Sequence, residues 1–197
     1  MRPKHDVRLC CSFSTRTRVS IVHSSAPVCP SRPNTGSPPF GWDTTPATFR
    51  LAAELEQAGA QPEVLYDLLF EQNSLGRLKL MGLILGRLEV FEDGKIACSE
   101  IHRDDYAATG AQPQDTEDMV NFMRSIAGVE VGLFFMEQPR GGVKVSLRSR
   151  SRVDVSRVAE GFGGGGHRLA SGATLDATLP EARVRVLQAV RTALAAV

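Results

Sequence analysis

The run Gly161-Phe162-Gly163-Gly164-Gly165-Gly166-His167-Arg168 limits what this chain can fold into more than any other segment. Each glycine loses more backbone freedom on folding than any other residue, about 0.5–1 kcal/mol relative to alanine inside a regular element. Four in succession do not suit a helix interior and give a core nothing to pack. What they offer is bare backbone, since consecutive N–H groups in a turn form a concavity for anions. His167 can donate or accept a hydrogen bond and Arg168 adds a fixed charge, so the segment reads as an anion cradle. It is not a P-loop, which ends in Gly-Lys-Ser/Thr. Nor is it a dinucleotide fingerprint, which follows a strand and opens a helix. The alternative is a tight helix-to-strand corner with His167 packed inside.

The 197 residues suffice for one domain with an extension, and the net charge of +1 by itself predicts no partner. Charge is unevenly placed. Residues 1–42 carry Arg2, Lys4, Arg8, Arg16, Arg18 and Arg32 against Asp6, a balance of +5 that leaves −4 for the rest. This opening stretch is rich in Ser, Thr, Arg and Pro and shows no sustained hydrophobic period. It suits a transit peptide or, lacking an amphipathic helix, a disordered or wrongly assigned leader over 1–43. The cysteines Cys10, Cys11, Cys29 and Cys98 form no zinc pattern, and Cys98 reads as a buried free thiol, so a cytoplasmic location is expected. No apolar run approaches the roughly 20 residues that span a bilayer.

From Thr44 the pattern changes. Thr45-Pro46 and Gln61-Pro62 are helix starts, and Ser74 caps a third helix, which together fill a helical lead-in over 44–87. Phe49, Leu51, Ala52 and Leu55 mark one buried face, and Val64, Leu65, Leu68 and Leu69 are expected to face inward. Residues 88–98 form a hairpin about Asp93-Gly94. A short helix over 103–109 and a better one opened by Asp115-Thr116-Glu117-Asp118 precede a second hairpin, 129–149, turning at 138–142. A helix over 153–160 runs into the glycines, 173–175 forms a last strand, and a helix over 180–196 ends the chain. The expected fold is therefore α/β, a mixed β-sheet with flanking helices over 88–197.

The second basic feature is the strand Val143-Lys144-Val145-Ser146-Leu147-Arg148-Ser149. Alternation sends the aliphatic residues to one face and Lys144, Ser146 and Arg148 to the other. Arg140 and Lys144 read as solvated. Arg148 and Ser149, at the strand end and one helix from the glycines, are the stronger ligand candidates, because a guanidinium fork matches phosphate oxygens. The acids of 115–118 read as a helix start, and His102-Arg103-Asp104-Asp105 as a strand-to-helix turn.

Several segments together resemble one family. Residues 145–149, Val153-Asp154-Val155-Ser156 and 161–174 look like the DHH-associated C-terminal domain of bacterial DHH (Asp-His-His) phosphoesterases. Thr44–Arg50, Ser74–Leu78 and Asp115–Asn121 look like the branch that degrades short oligonucleotides and dephosphorylates 3′-phosphoadenosine 5′-phosphate. The resemblance runs from Asn34 to Val197.

It implies that catalysis belongs to an N-terminal domain whose aspartates and histidines hold two manganese ions, which activate water and stabilise displaced phosphate oxygens. No Asp-His-His triplet occurs in this chain, and Asn34-Thr35-Gly36-Ser37 stands where an Asp-Thr-Gly-Ser stretch is expected. The resemblance thus implies no catalytic residue, no metal ligand and no cofactor in this chain, as after a truncation, a frameshift or a wrong start. It implies a binding module for short RNA or an adenine nucleotide, with no membrane role and with a homodimer allowed. Its site would comprise Arg148, Gly164, Gly165, Gly166 and His167, with Ser149 and Arg168 beside them. The alternative is an oligoribonuclease or phosphatase active with a separate catalytic chain.

Overall fold

The structure, a computed structural model, describes residues 44–197. The expected leader and the Asn34–Ser37 stretch lie outside the described residues. Helices α1 (Pro46–Gln57), α2 (Pro62–Phe70) and α3 (Leu75–Gly86) come first. Thr45 and Ser74 cap α1 and α3, their hydroxyls accepting from the N–H of Thr48 at 3.4 Å and of Arg77 at 2.9 Å. Strands β1 (Glu89–Phe91), β2 (Ile96–Ile101), β3 (Val131–Glu137), β4 (Val143–Ser149), β5 (Gly165–His167) and β6 (Ala170–Leu175) form one sheet in the order β1-β2-β3-β4-β6-β5. Only β2 and β3 run parallel, joined through α4 (Arg103–Thr109), a 3-10 turn at Pro113–Thr116 and α5 (Val120–Ser125). Helix α6 (Val155–Glu160) links β4 to β5, and α7 (Leu179–Ala195) closes the chain. This is the mixed sheet with flanking helices that the periodicity predicts.

Strand alternation builds two cores. Ile96, Cys98, Val131, Leu133, Phe135, Val143, Val145 and Leu147 pack with Ala173 and Leu175 under α6 and α7. On the other face Ala97, Ile101, Phe134 and Met136 pack against Leu80 and Ile84 of α3 and Val120 and Met123 of α5. Burial pushes the Cys98 thiol up to about 11, so it is an unreactive core residue at neutral pH.

The lead-in helices divide into two kinds. Leu80 and Ile84 of α3 are wholly buried, whereas α1 and α2 bury no residue at all. Val64, Leu65, Leu68 and Leu69, expected to face inward, are 37–52% exposed. An amphipathic stripe records that a helix needs cover, and among the described residues none covers these two. The helix opened by the acids at 115–118 begins later than expected: Asp115 belongs to the 3-10 turn, Glu117 and Asp118 follow it, and α5 starts at Val120.

Two carboxylates give the fold an acid limit. Arg87 grips Asp105 through both oxygens, and Asp105 also accepts from the His102 N–H at 2.7 Å. The Arg87 guanidinium holds the Asp105 carboxyl below the usual aspartate range. Burial pushes Glu130 up, but the N–H groups of Arg152, Ser151 and Val153 and the Ser149 hydroxyl outweigh it and hold Glu130 low. Groups with depressed folded pKa values contribute stability above their unfolded pKa, about 4, and lose it as pH falls through the folded values. Melting temperature should therefore fall below about pH 4 in thermal melts. Asp105→Ala should cost about 2 kcal/mol at neutral pH, between the exposed and buried ion-pair limits, and flatten that acid dependence.

Candidate functional site

The glycine run does not fold as a simple loop. Gly163 and Gly164 close α6, their N–H groups donating to Glu160 O at 3.0 Å and Ala159 O at 2.9 Å, so neither is free to hold an anion. Gly165, Gly166 and His167 then form the edge strand β5, paired to β6 in the register Gly165↔Gly172, Gly166↔Ser171 and His167↔Ala170. Two of the glycines are required sterically. A Cβ on Gly164 would lie 2.2 Å from Gly172 O, and one on Gly166, at φ +146°, would lie 2.6 Å from Ala170 O. Bare backbone here first serves close packing of β5 on β6. Because β5 is an edge, its outer backbone groups have no strand partner.

Register then places the charged side chains. Directly opposed residues in antiparallel pairs share a face. Arg148 opposes Ala170, which opposes His167, and Ser146 opposes Gly172, which opposes Gly165. Arg148 and His167 therefore rise from the same face, two strand spacings apart, roughly 9–10 Å at the backbone. Between them lie only the methyl of Ala170 and the bare Gly172. Lys144 and Thr174 continue the row below. On this face α3 and α5 cover Phe134 and Met136 but leave β5 and β6 open: Gly165, His167 and Thr174 are exposed, and Ala170 and Gly172 partly so. The result is a shallow cationic trough with a glycine and alanine floor.

Arg148 is the most informative group in it. Its guanidinium is partly buried and donates to Leu147 O at 3.1 Å. Burial pulls its pKa below the ordinary arginine value, against the favourable field of Asp118 and together with the repulsion of Arg124. Arginine stays protonated at neutral pH regardless. A partly desolvated cation whose loss of water outweighs the field of Asp118 is one that a bound anion would stabilise.

The other expected site residues are placed differently. Ser149 is fully buried, and its hydroxyl donates to Glu130 at 3.2 Å. Arg168, at the β5–β6 turn, is exposed and donates to Arg152 O at 3.2 Å. Sequence reasoning passed over Glu130, whose carboxylate also receives the N–H groups of Ser151 and Arg152 at 3.0 and 2.5 Å. An acid between Val129 and Val131 was the available signal: a charge in a buried run must be satisfied locally. Phe162 was passed over as well. It packs on the core beneath Arg185, whose guanidinium carbon is 5.7 Å from the ring centroid, and so anchors the glycine segment. Among the described residues no group of three or more His, Cys, Asp or Glu side chains is placed to hold a metal ion. No helix among them is long and apolar enough to cross a membrane.

Fold and site together define an α/β domain with an open cationic sheet face and a glycine-built edge hairpin. Residues 93–196 match the DHHA1 domain, and the chain belongs to this family, the DHH-associated C-terminal domain of DHH phosphoesterases. It is 38% identical over 154 residues to the bifunctional oligoribonuclease and PAP phosphatase NrnA of Thermus thermophilus, covering 77% of this chain and 45% of that protein. It is 29% identical to the cyclic-di-AMP phosphodiesterase PdeA of Listeria monocytogenes, over 77% of this chain and 22% of that one. An exopolyphosphatase-related protein from Bacteroides fragilis superimposes with a TM-score of 0.71 at 29% identity, over 76% of this chain and 44% of that one. The chain thus spans less than half the length of these relatives.

Proposed function

We propose that this chain is a cytoplasmic binding module for short RNA or an adenine nucleotide, taking phosphate between Arg148 and His167 with a base lying over Ala170 and Gly172. The observation that carries this reading is the partly buried Arg148 set in one cross-strand row with His167. Side chains of that reach can converge on one anion above a floor too small to obstruct it. Gly165 and Gly166 keep the rim low, and Arg168 adds charge at the tip. The names of the relatives support the same ligand chemistry, since they refer to oligoribonucleotides, PAP and cyclic di-AMP.

Calorimetric titration of the chain with adenosine 3′,5′-bisphosphate and with a trinucleotide tests it. His167→Ala should weaken both by about three- to tenfold, the usual loss of one hydrogen bond. Affinity should fall with added salt, more steeply for the trinucleotide. Unchanged affinity in His167→Ala would remove His167 from the site.

A second reading, hydrolysis completed by a catalytic half on another chain, is favoured by the exposed apolar side chains of α1 and α2, where Leu51, Leu55 and Leu68 are each more than half exposed. Manganese-dependent release of mononucleotides by the purified chain, absent from a matched blank, would replace binding with catalysis as its role.

A further inference from the structure

One carboxylate holds both sides of the proposed site. Glu130 is nearly buried, and its Oε1 accepts from Ser149 Oγ at 3.2 Å and from the N–H groups of Ser151, Arg152 and Val153 at 3.0, 2.5 and 3.3 Å. Among the described residues its Oε2 accepts only from Ser151 Oγ, at 3.4 Å. The Glu130 carbonyl also takes the Arg150 N–H at 2.8 Å. The corner between β4 and α6, residues 149–153, is thus folded around one side chain.

Both walls of the trough rest on that corner. Arg148 immediately precedes it on β4. From the other side, Leu169 O accepts from Ser149 N at 2.9 Å, Arg168 O accepts from Val155 N at 2.9 Å, and the Arg168 guanidinium donates to Arg152 O at 3.2 Å. The β5–β6 turn is thereby docked on the corner that Glu130 organises, one residue beyond His167. Arg150 ties the corner down as well, its guanidinium donating to Val129 O, Arg124 O and Ile126 O at 2.8–3.0 Å.

Resting on the binding reading above, we infer that Glu130 is a positioning residue that sets the separation of Arg148 and His167, and that Ser149 acts through it rather than on the ligand. Glu130 touches no ligand. It fixes where the two ligand-binding side chains stand.

The arrangement of acceptors supplies the test. Glu130→Gln keeps a carbonyl oxygen able to take the place of Oε1, Glu130→Asp withdraws it by one methylene, and Glu130→Ala removes it. The full chain would be titrated with adenosine 3′,5′-bisphosphate, with amide hydrogen exchange read at residues 165–170. Binding should weaken at least tenfold in Glu130→Ala and stay within about threefold of wild type in Glu130→Gln, with Glu130→Asp between. Exchange at 165–170 should quicken in the same order. Where the alanine variant does not fold, the aspartate and glutamine variants carry the comparison. A folded Glu130→Ala or Glu130→Asp that binds as wild type overturns the inference. So does a glutamine variant as weak as the aspartate one. A wild-type chain that does not bind the bisphosphate overturns the binding reading; exchange at 165–170 then decides on Glu130 alone, faster in the variants supporting its positioning role and unchanged exchange rejecting it.

Discussion

Arg148→Ala is expected to weaken binding of adenosine 3′,5′-bisphosphate and of a trinucleotide by about ten- to a hundredfold, the largest loss for any single side chain of the trough. A hydrogen bond to a charged group contributes about 1.5–3 kcal/mol net, and at this site the cation is already partly stripped of water before a ligand arrives. Burial has lowered the Arg148 pKa, which means the folded protein carries an electrostatic cost that a bound anion relieves. Truncation should leave the fold intact. The Arg148 side chain lies on the open face, where its guanidinium donates to the carbonyl of its own neighbour, Leu147. Arg148→Lys should recover only part of the affinity, because an ammonium keeps the charge and loses the fork. Calorimetry on the three forms, with thermal melts alongside, separates lost binding from lost folding.

Gly164→Ala should produce the largest loss of stability. The added methyl would lie 2.2 Å from Gly172 O and 2.6 Å from the Ala173 Cβ, contacts with the β6 backbone that no side-chain rotation relieves. The β5 strand would have to lift from β6, which costs about 3 kcal/mol as overpacking against a rigid neighbour. For a domain of this size that corresponds to roughly a 10 °C fall in melting temperature. Gly165→Ala provides the contrast, since nothing lies within 4 Å of its added Cβ. It should melt close to wild type and still obstruct the trough floor, weakening ligand more than stability. Thermal melts of the two variants, followed by titration of whichever remains folded, check both statements.

The parts of the fold legible in the sequence were those where side chains report their surroundings. The apolar run of β3, alternation in β4, Thr45 and Ser74 at helix starts and Asp93-Gly94 in the first hairpin lead directly to the observed elements. Strand β5 was not legible because glycines carry no side chain, so period-2 alternation has nothing to act on and the run reads as a loop. The anion cradle inferred from the same run was incomplete for a related reason. Two of its N–H groups complete the end of α6, a use that depends on where that helix stops. Ser149 shows a signal overlooked: its parity matches Val145 and Leu147, which places it inside rather than beside Arg148. Helices α1 and α2 mark a different limit, since periodicity shows that a helix has an apolar face and not what covers it.

The pairing of Arg148 with His167 across Ala170 was recoverable only from register. The sequence of 143–175 says little about which positions of β4, β6 and β5 stand opposite one another, and a shift of one residue would send His167 to the other face. Once register is known, the site is a row of three positions, Arg148, Ala170 and His167, bounded by a glycine-built edge.

Titration of the full chain with adenosine 3′,5′-bisphosphate, in wild type and in the Arg148→Ala, His167→Ala double variant, tests the central claim most directly. Saturable binding by wild type that weakens with salt and disappears in a folded double variant is the predicted result. Wild-type affinity in the folded double variant, or no heat of binding to the wild-type chain at any salt concentration, would contradict it.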